Sequence, residues 1–416
     1  MSLTEIIFFS TFFTLWAVFL FYFTLMLHFS RRPTKVNKRP IFPSVSMIIT
    51  TFNEEMVIGK KLSNTVELEY PEDKLGILIV DSGSTDKTRE IVENFVQRFK
   101  TKVNIHLLTQ KERLGKAVAL NYALKYCKGD IVILSDADVL LDKDAISKIT
   151  SNFNDEKIGA VSGIEVIRNP DQSSTTKMER GYRSFYNTLR LGETNLDSVV
   201  MCESEFAAYR RELMEEIPQD SVCDDMELTL RVRKKGFRAI YDPTVVFYEY
   251  SPIKYKSRLK HKIRRGQGNQ QTLLGFADMM FRLKYGVFSF VILPFEFFMH
   301  IISPFLTPIC IATYIIMAIS SFNTLLVFFP ITLLILTVCL IFFFLKVVSP
   351  ATSITLEYSA NSGSPKMLSI VFDFIALQLC LLISLFSLAF GSPKYKWQKI
   401  EEIRDVQAVK QQAKLQ

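Results

Sequence analysis

The chain has 416 residues, a formal net charge of +8 and a hydrophobic fraction of 49%. This length allows more than one domain, and the concentration of apolar residues in a few long stretches argues against a wholly soluble protein. Six cysteines without a CxxC pair indicate neither a zinc site nor a disulfide framework.

Long apolar stretches at both ends of the chain predict membrane segments. They are residues 5–28, 287–320, 324–345 and 368–390, and each could cross a bilayer core of about 30 Å as a helix. The first lacks a basic start and is too long for the core of a signal peptide, so we expect an anchor. Five basic residues follow within 31–39, which places the next region in the cytoplasm by the positive-inside rule.

The composition divides the chain into five regions. We expect an N-terminal transmembrane anchor at 1–30, a soluble domain at 40–250, amphipathic interfacial helices at 251–285, a C-terminal transmembrane bundle at 286–392 and a basic cytoplasmic tail at 393–416. A cytoplasmic tail requires an even number of passes after the domain. The long stretch at 287–320 contains three prolines, and it is compatible with two short passes or with one pass and an interfacial piece.

Short apolar runs alternate with helical patterns in the soluble region. Strands are expected at 45–50, 75–81, 103–108 and 130–136, and helices at 54–66, 84–99 and around 116–126. Nearly continuous apolar strands separated by helices predict an α/β fold with a parallel sheet covered on both faces. Ligands bind at the carboxyl ends of such strands, where the polar motifs "TFNEE", "DSGSTD" and "DAD" fall.

The "DSGSTD" motif at 81–86 follows the second predicted strand. Ser84, Thr85 and Asp86 are residue types that cap a helix, so a purely structural role for them remains open. Asp81 ends the strand itself, and its carboxylate could accept hydrogen bonds from a nucleobase or a ribose.

The "DAD" motif places Asp136 and Asp138 at the end of the fourth predicted strand. Two acids there are unfavourable unless a cation lies nearby. Mg²⁺ prefers oxygen ligands and commonly bridges carboxylates to phosphates, where it would hold a diphosphate and stabilise it as a leaving group. A solvated pair of loop carboxylates is the alternative.

Two more acids open the amphipathic helix expected after Val222 in "VCDDMELTLRVRKKGFRAIYDP". A carboxylate at such a helix start could serve as a general base. Acids also suit the dipole at a helix N-terminus, so a structural reading stays open.

Between Lys254 and Arg265 the chain has seven Lys or Arg residues and no acid. Tyr255, Leu259 and Ile263 form an apolar stripe among them. A basic amphipathic helix next to apolar segments predicts docking on membrane lipids. Nucleic-acid binding is the competing interpretation, and we expect no nucleic-acid partner because the tract adjoins membrane segments rather than aromatic stacking motifs.

In this order, the motifs resemble those of the membrane-bound family 2 glycosyltransferases, which include the cellulose, chitin, hyaluronan and poly-N-acetylglucosamine synthases. The resemblance runs from about Val45 to the C-terminus, with Thr50 where a proline is usual. It implies a GT-A (Rossmann-like) cytoplasmic domain at 40–250, a UDP-sugar donor, and Mg²⁺ or Mn²⁺ as cofactor.

The resemblance also assigns roles to residues of the donor site. It implies nucleotide-sugar binding by Thr51, Asn53, Glu54, Asp81, Lys116, Asp136 and Arg264. The first three would lie near the base and Asp81 would hold the uridine, while Asp138 would coordinate the metal.

The acceptor side is implied by two further segments. "ESEFAAYRREL" at 203–213 resembles the acceptor-side segment. In "CDDMELTLR" Asp224 takes the place of a glutamate, and Asp225 matches the catalytic base of the family.

One motif departs from the family pattern. Where a Q-x-x-R-W motif is usual, this chain has His261, Arg264 and Arg265. The missing glutamine and tryptophan help to hold the acceptor in processive members, which argues against a long polysaccharide product. The retained Arg264 suits a diphosphate, and "KYKWQKI" at 394–400 resembles the end of the poly-N-acetylglucosamine synthases.

The sequence therefore predicts an inverting glycosyltransferase that acts on a saccharide acceptor, as in the synthesis of β-linked polysaccharides. One alternative is a single transfer to a polyprenyl phosphate or another membrane lipid. A transporter with a regulatory nucleotide-binding domain is disfavoured, because the apolar segments offer few ionisable residues, mainly Glu296, His300 and Asp373.

Overall fold

An eight-stranded sheet forms the centre of the soluble domain. The computed structural model describes residues 2–99, 104–320, 329–334, 337 and 367–391. The strands are β1 (Val45–Thr51), β2 (Leu75–Asp81), β3 (Asn104–Thr109), β4 (Ile131–Asp136), β5 (Leu140–Leu141), β6 (Ile158–Ile167), β7 (Phe206–Arg210) and β8 (Arg238–Glu249). Their order across the sheet is β3-β2-β1-β4-β7-β6-β8-β5.

The sheet is mixed rather than parallel throughout. β1 pairs in parallel with β2 and β4, and β2 pairs in parallel with β3. β7 lies antiparallel to both β4 and β6. The prediction of a parallel sheet is therefore correct for the first four strands and for the pair of β6 with β8. It is wrong for β7 and β5, which run antiparallel to their neighbours.

Helices surround the sheet or extend from it. They are α1 (Leu3–Ser30), α2 (Ile58–Val66), α3 (Thr88–Phe99), α4 (Lys116–Leu124), α5 (Ala145–Thr150), α6 (Ser174–Leu196), α7 (Asp224–Lys234), α8 (Tyr255–Gly275), α9 (Phe288–Ser320) and α10 (Met367–Phe390). Both α2 and α3 begin four residues later than predicted, because the residues before them bond to each other across the strand ends.

The parallel strands β1, β2 and β4 are buried on both faces, whereas the edge strand β3 is partly exposed. Along β1, Met47 and Ile49 belong to one apolar core, and Ile48 between them belongs to a second core on the opposite face. Successive side chains of a strand point to opposite faces, so an unbroken apolar run fits a strand with a core on each side.

Three of the described helices, α1, α9 and α10, are long and apolar enough to cross a membrane. α9 runs without a break over 33 residues, and so the two-pass alternative for this stretch is not observed. Two π-helical segments, Phe288–Ile292 and Phe298–Ile302, occur within it. Most of the predicted segment at 324–345 and all of the basic tail at 393–416 lie outside the described residues.

The contacts fix the relative directions of these helices. The backbone N–H of Phe288, at the start of α9, donates to Asp197 of the domain at 3.2 Å. Further along α9, the Ser303 hydroxyl donates to Gln378 at 2.8 Å, and the Phe305 ring lies 6.4 Å from that of Phe386. α9 and α10 therefore run in the same direction along these contacts.

The basic tract forms the first half of α8, but it does not surround a bare apolar stripe. Arg258 is only 3% exposed, and it donates to Glu179 at 2.7 Å and to both oxygens of Asp373 on α10 at 2.7 and 2.8 Å. The Tyr255 ring packs against Phe372. α10 therefore covers part of the predicted apolar stripe, and docking of this helix on membrane lipids stays a prediction.

The cations of α8 fall into two groups. Lys254, Lys256 and Lys260 are exposed, whereas the other four are buried or partly buried. The sequence pattern could not separate them, because the acids that pair with the inner group lie far away in the chain.

We expect Arg258→Ala to destabilise the protein far more than Lys256→Ala on the same helix. Removing one partner of a buried ion pair costs about 3–5 kcal/mol, whereas exposed substitutions usually fall within about 0.5 kcal/mol. Thermal unfolding of both variants in detergent would measure the difference. Equal unfolding temperatures for the two variants would show that the contact of Arg258 with Asp373 does not hold α10 to the domain.

Candidate active site

The polar motifs meet at one edge of the sheet. In the parallel register Thr51 lies beside Asp81, and Thr50 lies beside Asp136. The carboxyl ends of β1, β2 and β4 thus bring "TFNEE", "DSGSTD" and "DAD" together, at the edge where parallel sheets bind ligands.

The loops after β1 and β2 are bonded to each other. Asn53 adopts a left-handed conformation with φ of 54°, which asparagine tolerates better than most residues. Its backbone N–H donates to the Ser84 hydroxyl at 2.9 Å, and its side-chain carbonyl accepts from the Thr85 N–H at 2.7 Å. Ser84 and Thr85 therefore join the two loops rather than cap α3.

The other predicted residues of these loops are largely buried. Asp81 is 2% exposed, and its carboxylate accepts from the Ser84 N–H at 3.3 Å. The Thr51 hydroxyl donates to the Val80 carbonyl at 3.2 Å, which directs it into the sheet. Glu54 is buried and its backbone N–H donates to the Thr88 hydroxyl at 2.7 Å.

Lys116 connects the strand-end motifs to the start of α7. Its ammonium lies 2.9 Å from Asp136 and 3.4 Å from Asp224, and it donates to the Ser204 hydroxyl at 2.8 Å. Burial opposes the charge of Lys116, but the nearby carboxylates, Asp136 first among them, outweigh burial and raise its pKa. Lys116 is therefore a permanent cation between two acidic motifs.

The two acids of "DAD" have different surroundings. Burial raises the pKa of Asp136 to about 6 despite the opposing attraction of Lys116. Asp138 is 9% exposed and lines a small pocket with Lys60 and Tyr250.

Lys61, a residue that the sequence analysis missed, lies beneath this loop. It is fully buried, and it donates to the Ser135 hydroxyl at 2.6 Å and to the Val139 carbonyl at 2.9 Å. Burial lowers its pKa to about 7, against the attraction of Asp136 and Asp138. A signal did exist, because Lys61 shares the inward face of α2 with Ile58 and Leu62.

The residues of this edge fit a divalent cation. No cluster of three or more His, Cys, Asp or Glu in a metal-binding arrangement occurs among the described residues, so Asp138 would need oxygen ligands from a bound molecule. Mg²⁺ and similar hard ions are commonly held in this way, by one or two carboxylates and substrate phosphates.

Asp225 lies in the first turn of α7. Its Oδ1 accepts from the Met226 N–H at 3.0 Å and from the Cys223 thiol at 2.8 Å. Burial, followed by the charges of Asp224 and Glu205, raises the pKa of Asp225 to about 6. The role of Asp225 as a base stays a prediction.

Two arginines of α8 complete the site. Burial, followed by repulsion from Arg265, lowers the pKa of Arg264 to about 10, while Asp224 attracts it. Arg265 donates to Glu205. Burial opposes ionisation of Glu205, but Arg265 and Lys116 outweigh it and hold the pKa of this carboxyl at about 2. Arg265, at the position of the usual tryptophan, therefore pairs with the "ESE" segment.

A buried ion network behind the site was also missed. Arg183 of α6 lies 2.5 Å from Glu165 and 2.8 Å from Glu203, and Arg190 lies 3.1 Å from Glu203. These residues are far apart in the sequence and follow no local motif, so no single-sequence signal identifies the network.

Comparisons with known proteins give a family and a fold for this arrangement. Residues 46–218 match the family model described as glycosyl transferase family 2. The probable glycosyltransferase YdaM of Bacillus subtilis (strain 168) is 29% identical over 281 residues, which cover 62% of this chain and 64% of that protein. The poly-beta-1,6-N-acetyl-D-glucosamine synthase of Staphylococcus aureus (strain COL) is 27% identical over 285 residues, 66% of each chain.

One solved structure is similar over nearly the whole chain. The mannosyltransferase PcManGT from Pyrobaculum calidifontis, in complex with GDP-Man and Mn²⁺, is 26% identical with a TM-score of 0.71, and the match covers 93% of this chain and 99% of that chain. The match to the two curated relatives is shorter and spans about two thirds of their length.

We expect Asp138→Asn to weaken Mn²⁺ binding in the presence of a nucleoside diphosphate by about tenfold or more, since even the loss of an outer partner of a metal site has an effect of that size. Free Mn²⁺ measured by electron paramagnetic resonance would report the affinity. Asp144→Asn is the matched control, because Asp144 pairs with Lys148 on the surface. Unchanged Mn²⁺ affinity in Asp138→Asn would remove this residue from the metal site.

Proposed function

Since this chain contains a glycosyltransferase family 2 domain and has a GT-A fold, we propose that it is a membrane-embedded inverting glycosyltransferase. It transfers a sugar from a nucleotide-sugar donor to a saccharide acceptor, as in the synthesis of β-linked polysaccharides. The observation that supports this most is the position of Lys116 between Asp136 and Asp224. This contact joins the "DAD" motif of the donor site to α7, whose first turn contains the base.

The donor lies over the strand ends. Asp81 and Asn53 recognise the nucleoside, in the paired loops that follow β1 and β2. Arg264 faces the diphosphate, Lys116 approaches the nucleotide, Asp136 contacts the nucleotide sugar, and Asp138 holds the divalent ion. When bound, Mg²⁺ or Mn²⁺ neutralises charge that develops on the departing diphosphate.

Asp225 is the general base. Its Oδ1 accepts both from the Cys223 thiol and from the Met226 N–H. No hydrogen bond to its Oδ2 is observed among the described residues. Asp225 removes the proton of an acceptor hydroxyl as that oxygen forms a bond to the anomeric carbon. The bond from that carbon to the diphosphate breaks on the opposite face, so an α-linked donor gives a β-linked product.

The acceptor class has two candidates. The named activity of the Staphylococcus aureus relative supports a saccharide acceptor. The ion pair of Arg265 with Glu205, in place of an aromatic platform, favours the second candidate, a single transfer to a polyprenyl phosphate or another membrane lipid. Gel sizing of radiolabelled product separates the two, since a polymer gives a ladder and a lipid product gives one organic-soluble species.

The protein is a multi-pass protein of the cell membrane with its catalytic domain in the cytoplasm. α1, α9 and α10 supply helices of sufficient length, and the basic residues after α1 support the cytoplasmic side. Lys254, Lys256 and Lys260 are exposed near these helices, where they suit anionic lipid headgroups.

A donor screen tests the proposal directly. The purified full chain is incubated with Mn²⁺ and one of UDP-N-acetylglucosamine, UDP-glucose or GDP-mannose, and released nucleoside diphosphate is measured. We expect turnover with at least one donor and its loss in excess chelator. No turnover with any donor, or full activity in chelator, would contradict the proposal.

We expect Asp225→Asn to lower kcat by about 10²–10⁴, the usual contribution of a general base, while the affinity for the nucleoside diphosphate stays nearly constant. Asp220→Asn is the control, because Asp220 is an exposed acid on the same loop. Equilibrium binding and steady-state rates would be compared. A large loss of nucleotide affinity with normal kcat would move Asp225 out of the catalytic role.

The pH profile gives a second check on the base. Because the pKa of Asp225 is raised to about 6, the carboxylate is ionised above that pH and protonated below it. We therefore expect kcat at saturating donor to fall as the pH drops through about 6. A kcat that stays constant across this range would argue against Asp225 as the base.

A further inference from the structure

The base is connected to a membrane helix by a chain of hydrogen-bonding groups. The Cys223 thiol lies 2.8 Å from Asp225 Oδ1 and 3.1 Å from Asn269 Oδ1 on α8. Asn269 Nδ2 lies 3.3 Å from His300 Nε2 on α9, and His300 Nδ1 lies 3.0 Å from the Glu296 carbonyl. His300 and Glu296 are two of the few ionisable residues of the apolar segments, and the proposed reaction gives neither a role.

Local features of α8 and α9 bring these groups together. A Cβ on Gly268 would lie 2.8 Å from Cys223 Cβ, so glycine lets α8 approach the thiol. The His300 carbonyl receives no helical hydrogen bond from Pro304, four residues later, because proline has no N–H. Gln270 Nε2 donates to this carbonyl at 2.9 Å instead. His300 also lies in the π-helical segment Phe298–Ile302, and such segments often occur at functional sites.

The direction of the chain follows from its acceptors. The Glu296 carbonyl can only accept, so His300 Nδ1 donates toward it, and the Glu296 carboxylate lies 3.3 Å from the same nitrogen. Asn269 Nδ2 can only donate, so His300 Nε2 accepts from it. Asn269 Oδ1 then points to Cys223. The single thiol proton thus has two acceptors, the amide of Asn269 and the carboxylate of Asp225.

This competition affects the base. A donor to the ionised carboxylate lowers its basicity, so the share of the proton that Asn269 takes leaves Asp225 a stronger base. The charged groups that act on Asp225 from other elements are Asp224, Glu205, Lys116 and Arg264. Among these neighbours, the Cys223 thiol differs because its proton can point either toward Asp225 or toward Asn269.

We propose that Cys223, Asn269 and His300 are positioning residues that set, from the membrane helix α9, how strongly the thiol donates to Asp225. This inference rests on the proposed function, in which Asp225 is the base. His300 holds the amide of Asn269 in one orientation. The position of α9 therefore affects the hydrogen bond that the Cys223 thiol donates to Asp225.

Substitutions along the chain should shift the pH profile in opposite directions. Cys223→Ala removes a donor to the carboxylate, so we expect the acidic limb of kcat to move to higher pH, and Cys223→Ser should restore it. His300→Ala frees the Asn269 amide to rotate and leaves the thiol proton to Asp225, so the limb should move to lower pH and kcat should fall. The donor KM should change little in each variant.

Matched controls separate this effect from general damage. Cys127→Ala removes a buried thiol that donates to the Ala123 carbonyl rather than to Asp225. Ser303→Ala removes a polar group from α9 one turn after His300. Both controls should keep the native pH profile. Shifts of the same size in the controls, or shifts of the same sign in Cys223→Ala and His300→Ala, would overturn the proposal.

A spectroscopic measurement tests the chain without turnover. The infrared difference between the native protein and Cys223→Ser isolates the S–H stretching band of Cys223. The same difference in a His300→Ala background should show the band at lower frequency, because the thiol then donates to a carboxylate rather than an amide. An unshifted band would show that His300 does not direct the thiol.

The outcomes also separate this proposal from the function on which it rests. If Asp225→Asn retains full turnover, the assignment of the base fails whatever the chain variants show. If Asp225→Asn is inactive and the chain variants match their controls, only the positioning chain fails.

Discussion

The contact on which this site depends is the pair of ionic interactions made by Lys116. The first turn of α4 places one ammonium between Asp136, at the end of β4, and Asp224, at the start of α7. Without that cation the two acidic motifs would repel each other in a partly buried setting, where unpaired charge is strongly unfavourable. Because Asp225 follows Asp224, the same cation fixes the position of the proposed base relative to the end of β4.

The remaining negative charge is compensated from outside the sheet. Arg264 and Arg265 come from α8, and α8 is in turn held by Asp373 of α10 and by the His300 carbonyl of α9. The soluble domain therefore does not form its site alone. Two helices that suit a membrane, α9 and α10, hold the helix that supplies Arg264 and Arg265, which gives a physical reason for the domain and these helices to pack together.

Local patterns were sufficient for the first half of the domain. The strand Leu75–Asp81 and the placement of Asp81 and Asp136 at one edge follow from apolar runs that end in acids. The antiparallel β7, the burial of Arg258 and the pairing of Arg265 with Glu205 did not follow, because each depends on partners far away in the chain. Lys61 and Cys223 were missed for another reason, since a lysine on an apolar helix face and a lone cysteine carry little information until their neighbours are known.

The central claim is that a diphosphate binds between a metal on Asp138 and the guanidinium of Arg264, above the Lys116 contact. A cryo-electron microscopy map of the protein in lipid nanodiscs with Mn²⁺ and UDP or GDP tests it most directly. We expect metal density beside Asp138 and the two phosphates between that ion and Arg264. The carboxylate of Asp225 should be accessible to an acceptor hydroxyl. A diphosphate bound away from Asp138, or one held without metal density, would contradict it.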